Sequence, residues 1–416
     1  MSASAQTAEI ARRAMERADE LATFSEEPGR ITRAYGTPPL VQAAAAVRGW
    51  MEGAGMTVRA DAVGNVIGRW EPAGASAGTL VLGSHIDSVR NAGRYDGPLG
   101  VIVAIAAVEA LRERGVAPPY AIELVAWVDE EGLRYITSYL GSRVYTGLFE
   151  AAELDETDAD GVPLRDAVRA QGGDPDAIMG AVRATDDLLG YVEVHIEQGP
   201  VLQAKDLPLG VVTSIAGQSR GHVRFVGEAG HAGTVPMDLR RDALCGAGEL
   251  LLEIERLAKS VPGLIGTVGQ ISARPSAGNV IPGEAIISFD VRHQDDARRT
   301  DAVEQLRRFA EQVGERRGLE VDWQTLQEHP AVPCAERLQA GLSAAIAARG
   351  GEPHAMLSGA GHDAVSMAHL TDVAMLFVRC KDGISHNPAE SVREDDVAAA
   401  IDVTAAFLER FAPEGA

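Results

Sequence analysis

His85-Ile-Asp87 sets an imidazole and a carboxylate two residues apart, so on an extended backbone both side chains leave the same face of the strand. Asp96 follows in RYDGPLG, directly ahead of a helix start. Glu130 and Glu131 close the segment AIELVAWVDEE, His195 closes the strand-like part of YVEVHIEQGP, and His386 stands in GISHNPAE. Two or three histidines with two or three carboxylates at one sheet edge form the ligand chemistry of a dinuclear site for zinc or another transition metal. Imidazole and carboxylate oxygen suit such ions without thiolates. One further carboxylate then remains to act as a base. Taken singly, each piece is ordinary: a histidine at a strand end is more often a hydrogen-bonded structural residue, and Asp129-Glu130-Glu131 reads as a polar turn. Weight comes from every member falling where a strand is expected to end.

The elements that must deliver these residues follow from pattern. Residues 79–83 (TLVLG) and 121–128 (AIELVAWV) are short apolar runs of the kind found in buried parallel strands. Between them a helix opens at Pro98 and runs to Arg114, with Gly115 as its stop. Strand, helix, strand in this order is a βαβ unit, and ligand sites in such sheets lie at the carboxyl ends of the strands. Upstream, PPLVQAAAAVRGWMEGAG predicts a helix, and MTVRADAVGNVIGRW predicts paired strands turning at Gly64 and Asn65. Residues 150–190, with EAAELDETDAD and QGGDPD, read as a solvated acidic excursion without chemistry.

From about residue 215 to 327 the order becomes β-α-β-β-α-β, the split βαβ arrangement. Strands are expected in HVRFV, LIGTVGQISA, EAIISFDVRH and LEVDWQTL, and helices over 237–259 and 295–317. Helix and strand alternate again after His329, through a helix at 334–349 and the apolar strand VAMLFV to a final helix. The expected fold class is therefore α/β: a mixed, mostly parallel sheet domain built from 1–214 and 328–416, interrupted at 215–327 by a ferredoxin-like α+β domain. Gly217-Gln218-Ser219-Arg220-Gly221 matches the G-x-S-x-G pattern of serine hydrolases. That elbow needs a helix after it, whereas HVRFV alternates as a strand, so Ser219 is not read as a nucleophile. The polar stretches GHAGT, GNVIP and DVRH hold His231, Asn279 and Arg292, whose plain readings are a loop histidine, a turn residue and a surface ion-pair partner. Gly359 and Gly361 of GAGHDA read as a helix-capping turn.

Composition narrows the partners. The 416 residues carry 38 Lys and Arg against 60 Asp and Glu, a net charge of −22 that repels phosphate backbones and anionic lipid surfaces. No nucleic acid and no membrane is expected as a partner. The longest apolar run, 99–108, falls well short of the roughly 20 residues a bilayer span needs. MSASAQTAEIARR lacks the pattern of a secretory signal, and the expected compartment is the cytoplasm. Cys245, Cys334 and Cys380 are far apart and read as reduced core thiols.

The segments GSHIDSV, AGRYDGPLGV, DEEGLRY, HIEQGPVL, GHAGTVPM, RRDAL, GNVIPG, DVRH, SGAGHDA and GISHNPAE together resemble the zinc-dependent amidohydrolases. This group contains allantoate amidohydrolases, N-carbamoyl-L-amino acid amidohydrolases and β-ureidopropionases, within the wider metallo-aminoacylase and carboxypeptidase superfamily. The resemblance implies two divalent ions, zinc first with manganese or cobalt acceptable, bridged by Asp96. His85 and His195 would complete one site, and Glu131 and His386 the other. It further implies Glu130 as general base, Asp87 as the residue orienting the site, and His231 as an oxyanion donor reaching into a partner subunit. Asn279 and Arg292 would hold the substrate carboxylate, Gln198 the ureido group, and Gly359 would line the substrate site. The inserted domain would be lid and homodimer interface. Allantoate is the first expected substrate and an N-carbamoyl-L-amino acid the second. An aminoacylase or dipeptidase activity and a non-catalytic scaffold role rank below both, since the base and all five ligand positions are filled.

Overall fold

In the computed structural model, which describes all residues except 1–4, 73, 75, 136 and 413–416, the chain divides into two units. One is Met1–Thr213 with Cys334–Ala416, and the other is Ser214–Pro333.

Neighbouring strands of the first unit's sheet run Thr57–Ala60, Val66–Trp70, Ala121–Trp127, Thr79–His85, Leu188–Ile196, Val373–Val378 and Leu209–Ile215. The four at the centre are parallel, from Ala121–Trp127 across to Val373–Val378. Antiparallel strands flank them, Val66–Trp70 on one side and Leu209–Ile215 on the other. The fold is thus mixed α/β with a parallel centre. Every residue of Thr79–His85 and of Ala121–Trp127 is buried, as expected for strands covered on both faces. The covering helix Pro98–Glu113 is apolar nearly all round because it is enclosed, packing against Glu394–Arg410 and Ala5–Thr23 as well as the sheet. Pro98 takes its first turn and Gly115, at φ 68°, follows its end. All the central strands reach their carboxyl ends at one edge, where His85, the segment after Trp127, His195 and the loop after Val378 meet.

Two readings of the sequence change here. The helix Ala5–Thr23 has no counterpart among the elements expected from pattern. The acidic excursion is also more than a solvated face: Glu153 pairs with Arg143 at 2.6 Å, Asp158 with Arg134 at 2.7 Å, and Asp155 with Arg165. These pairs lace its short helices down.

The second unit carries a five-stranded antiparallel sheet centred on Gly217–Val226 and Glu284–His293. Burial alternates strictly along both. Val223, Phe225, Ala285, Ile287, Phe289 and Val291 pack under the helices Ala243–Ser260 and Asp296–Arg317. Asp242 and Asp295 cap those helices through two backbone N–H groups each. The segment LIGTVGQISA is two strands, Ile265–Thr267 and Ile271–Arg274, both paired with Glu284–His293. Between them the Ser288 hydroxyl accepts the N–H groups of Gly269 and Gln270. Ser219 lies buried in mid-strand, with strand and not helix following it, so the helix that the serine-hydrolase elbow needs is missing there. Cys334 and Cys380 are buried thiols, but Cys245 is exposed, sitting in the first turn of its helix on the solvent side.

Candidate functional site

The site is built where the parallel strands end. His85 is the last residue of Thr79–His85, and the turn that carries Asp96 passes directly beneath its ring. A Cβ on Gly97 would fall 2.3 Å from the imidazole, and Gly97 has φ 81°, so glycine is required on both counts. His195 comes from the neighbouring strand. Its Nδ1 donates to the Ile196 carbonyl at 3.0 Å, which leaves the Nε2 lone pair facing inward. The Nε2 atoms of His195 and His85 face one another at 3.4 Å, and Asp96 Oδ1 lies 3.2 Å from the first and 4.0 Å from the second. The other carboxylate oxygen, Oδ2, lies 3.1 Å from His386 Nε2, which is in turn 3.4 Å from Glu131 Oε1. His386 is half-exposed and held at φ 54°, and Gln198 at φ 56°; such backbone strain concentrates at working sites.

Among the described residues, three groups bring candidate ligand atoms within 4.8 Å of one another: His85, Asp96 and His195; Asp96, Glu131 and His386; and His85, Glu130 and Glu131. The donors are imidazole nitrogen and carboxylate oxygen throughout, with converging lone pairs and buried negative charge. A buried arrangement of this kind is stable when it holds cations. The residues present therefore fit a pair of divalent ions.

Asp87 supports the cluster from behind. Its two oxygens accept the backbone N–H groups of Glu130 at 3.0 Å and Glu131 at 3.1 Å, and Oδ1 lies 3.5 Å from His85 Nδ1. Electrostatics follow from burial. Desolvation, with the charges of Glu131, Asp363 and Asp87, pushes Glu130 well above the usual carboxylate range, against the pull of His85. Burial first, and Asp96 after it, raise Glu131 to about 7. Burial lowers His195 to about 4, outweighing Asp96, while the hydrogen bond to Asp96 raises His386 to about 9.

Of the remaining expected residues, Gln198 donates its Nε2 to both oxygens of Asp96 at 3.1 Å, and Gly359 lies in the turn after the strand Ala355–Ser358. His231, Asn279 and Arg292 belong to the second unit. There Gly230–His231 pairs with Val280–Ile281, and the Asn279 carbonyl accepts from Ala232, so His231 and Asn279 are neighbours. Arg292 makes a two-pronged pair with Asp290 at 2.8 and 2.9 Å.

Several residues at the site escaped the reading of the sequence. Arg33, buried, donates to the Ile86 carbonyl between His85 and Asp87. The His362 ring stands edge-on to His195, 4.5 Å between centroids, with Nε2 2.9 Å from Ser358 Oγ. Glu193 accepts from Tyr191, Ser84 and the Ala364 N–H, and Asp363 accepts from Ser142. For Glu193 a signal existed: it stands two residues before His195 on the same strand, hence on the same face.

Known proteins are similar to this chain over most of its length. The model of Peptidase family M20/M25/M40 matches residues 81–410. An allantoate deiminase of Arabidopsis thaliana is 39% identical over 95% of this chain and 81% of its own. An N-carbamoyl-L-amino-acid amidohydrolase of Pseudomonas sp. (strain NS671) is 41% identical over 84% of this chain and 85% of its own. The crystal structure of a hydantoinase/carbamoylase family amidase from Burkholderia multivorans superposes with a TM-score of 0.90 at 32% identity, over 96% of this chain and 97% of that one. With these likenesses over this sheet and its ligand cluster, the chain belongs to Peptidase family M20/M25/M40 and is an amidohydrolase, acting on C–N bonds.

Proposed function

We propose that the protein hydrolyses the ureido group of a small ureido acid, allantoate first, using two divalent ions. His85, Asp96 and His195 hold one ion and Asp96, Glu131 and His386 the other, zinc being the first choice. The observation that carries this reading is the split allegiance of Asp96, whose two oxygens face two different donor sets. When bound, such a pair of ions supplies a low-pKa water and a Lewis acid for the carbonyl oxygen. Glu130, buried beside His85 and Glu131, takes the water's proton and passes it to the leaving nitrogen. The overall change is R–NH–CO–NH2 plus water to R–NH2, carbon dioxide and ammonia.

His231, from the partner subunit of a homodimer formed through the second unit, stabilises the developing oxyanion. Asn279 and Arg292 take the substrate carboxylate; the planar Arg292 fork suits it, and Asp290 fixes the direction of that fork. Gln198 binds the ureido group, and Gly359 lines the substrate site. The likeness to allantoate deiminases over nearly the whole chain supports allantoate, and the 41% identity to the Pseudomonas enzyme supports an N-carbamoyl-L-amino acid as the second reading. The net charge of −22 disfavours nucleic acid and anionic membranes as partners, and no helix among the described residues is long and apolar enough to cross a membrane. The cytoplasm is the proposed compartment.

A substrate panel on metal-replete enzyme tests this reading: allantoate, several N-carbamoyl-L-amino acids, N-carbamoyl-β-alanine, an N-acetyl amino acid and a dipeptide. The expected result is equimolar ammonia and carbon dioxide, with the highest kcat/KM on allantoate. A highest value on a carbamoyl amino acid selects the second reading. Cleavage of the acetyl or dipeptide substrate alone contradicts both.

A further inference from the structure

Asp96 is the one carboxylate that must face both donor sets, yet its own turn has little to hold it: RYDG is a loop ahead of a helix, and glycine follows it. The residue that holds this turn lies about three hundred positions away in the chain. Glu390, 5% exposed, accepts the backbone N–H of Tyr95 at 2.7 Å and that of Asp96 at 3.1 Å, both on the same oxygen, Oε1. Its other oxygen faces the Ser385 hydroxyl at 3.3 Å, and that hydroxyl donates to Asp96 Oδ2 at 2.5 Å. Room for Glu390 is made by Gly93, where a Cβ would fall 2.2 Å from the Glu390 carboxyl carbon.

Glu390 also belongs to the loop that carries His386. That loop is closed at its base by the Cys380–Val392 bridge and by the Lys381 N–H donating to the Ser391 carbonyl at 2.7 Å. Within it, the Glu390 N–H donates to the Asn387 carbonyl at 3.0 Å. One side chain therefore registers the Asp96 turn against the His386 loop, the two segments whose side chains meet at 3.1 Å.

We propose that Glu390 is a positioning residue for the metal pair: by gripping the backbone of Asp96 from the His386 loop, it sets the distance between the bridging carboxylate and its imidazole partner. It acts through Asp96 and His386 and touches no reacting atom. This rests on the metal reading above. Partners of this kind behind metal ligands typically tune affinity by about 10- to 100-fold.

The test is zinc affinity, measured on chelator-stripped protein by competition with a chromophoric chelator, for wild type, Glu390→Ala and Glu390→Gln. Because both N–H groups use one oxygen, the amide carbonyl of glutamine can accept them both, and its NH2 can donate to the Ser385 hydroxyl. Glu390→Gln should therefore bind zinc close to wild type, whereas Glu390→Ala should bind at least one of its two ions about 10- to 100-fold more weakly. Should Glu390→Ala fail to fold, Glu390→Met fills the space without the acceptor and gives the same comparison. Wild-type affinity in the alanine or methionine variant overturns the proposal, as does a glutamine variant as weak as alanine, which would assign the effect to charge instead of the backbone grip. A wild-type protein that takes up no zinc overturns the metal reading itself, and that result shows in the wild-type arm alone.

Discussion

Glu130→Gln should keep the fold and both metal ions and lose about 10²- to 10⁴-fold in kcat, with KM little changed. Glutamine preserves the shape of a side chain that is buried beside His85 and Glu131, but it can neither accept the water's proton nor return it to nitrogen. The backbone N–H of residue 130 goes to Asp87 whatever the side chain, so the strand end stays in register. Two measurements on one preparation decide the matter, metal content and kcat on the best substrate of the panel. Full metal with full activity would remove Glu130 from the mechanism. Low metal with low activity would make it a ligand instead, through the third group it forms with His85 and Glu131.

The second large effect concerns Asp96. Asp96→Ala removes the carboxylate shared by two of the ligand groups, so both ions should be lost together and activity should fall to background. Wild-type enzyme stripped with a chelator should be equally inactive and should regain activity with zinc, manganese or cobalt, because all three accept nitrogen and oxygen donors. Stability gives an independent readout. A ligand at a thousandfold excess over its Kd stabilises the folded state by about 4 kcal/mol, so zinc should raise the Tm of wild type and leave that of Asp96→Ala unmoved. A variant that keeps one ion at wild-type affinity would show that the two positions do not share Asp96.

Much of the frame was legible because burial imposes pattern. The runs 79–83 and 121–128 and the intervening helix bounded by Pro98 and Gly115 correspond to strands and a helix enclosed on all sides. Strand ends then located His85, Glu131 and His195, since in a parallel sheet those ends share an edge. His386 follows the strand Val373–Val378 at the same edge. The inserted unit extends to Pro333 where the pattern suggested 327, because Glu320–His329 runs on past the alternation of LEVDWQTL.

What stayed hidden lies in contacts that no period encodes. Arg33, Ser385 and Glu390 sit in irregular segments, and their value comes from groups distant in the chain: backbone for Arg33 and Glu390, the Asp96 carboxylate for Ser385. Ala5–Thr23 escaped although Ile10, Ala14, Ala18 and Leu21 keep helical spacing on one buried face, because that face is built mostly of alanine and contrasts little with its surroundings. The roles proposed for His231, Asn279 and Arg292 came from resemblance, since an exposed loop histidine, a turn asparagine and an ion-paired arginine carry no distinguishing pattern of their own.

Anomalous diffraction at the zinc edge, from crystals grown with the metal, addresses the dinuclear centre directly. The expected map has two peaks about 3.5–4 Å apart, one among His85, His195 and Asp96, the other among Asp96, Glu131 and His386. A map with no peak beside Asp96, or with a lone peak touching only one of its oxygens at full zinc loading, would contradict the account.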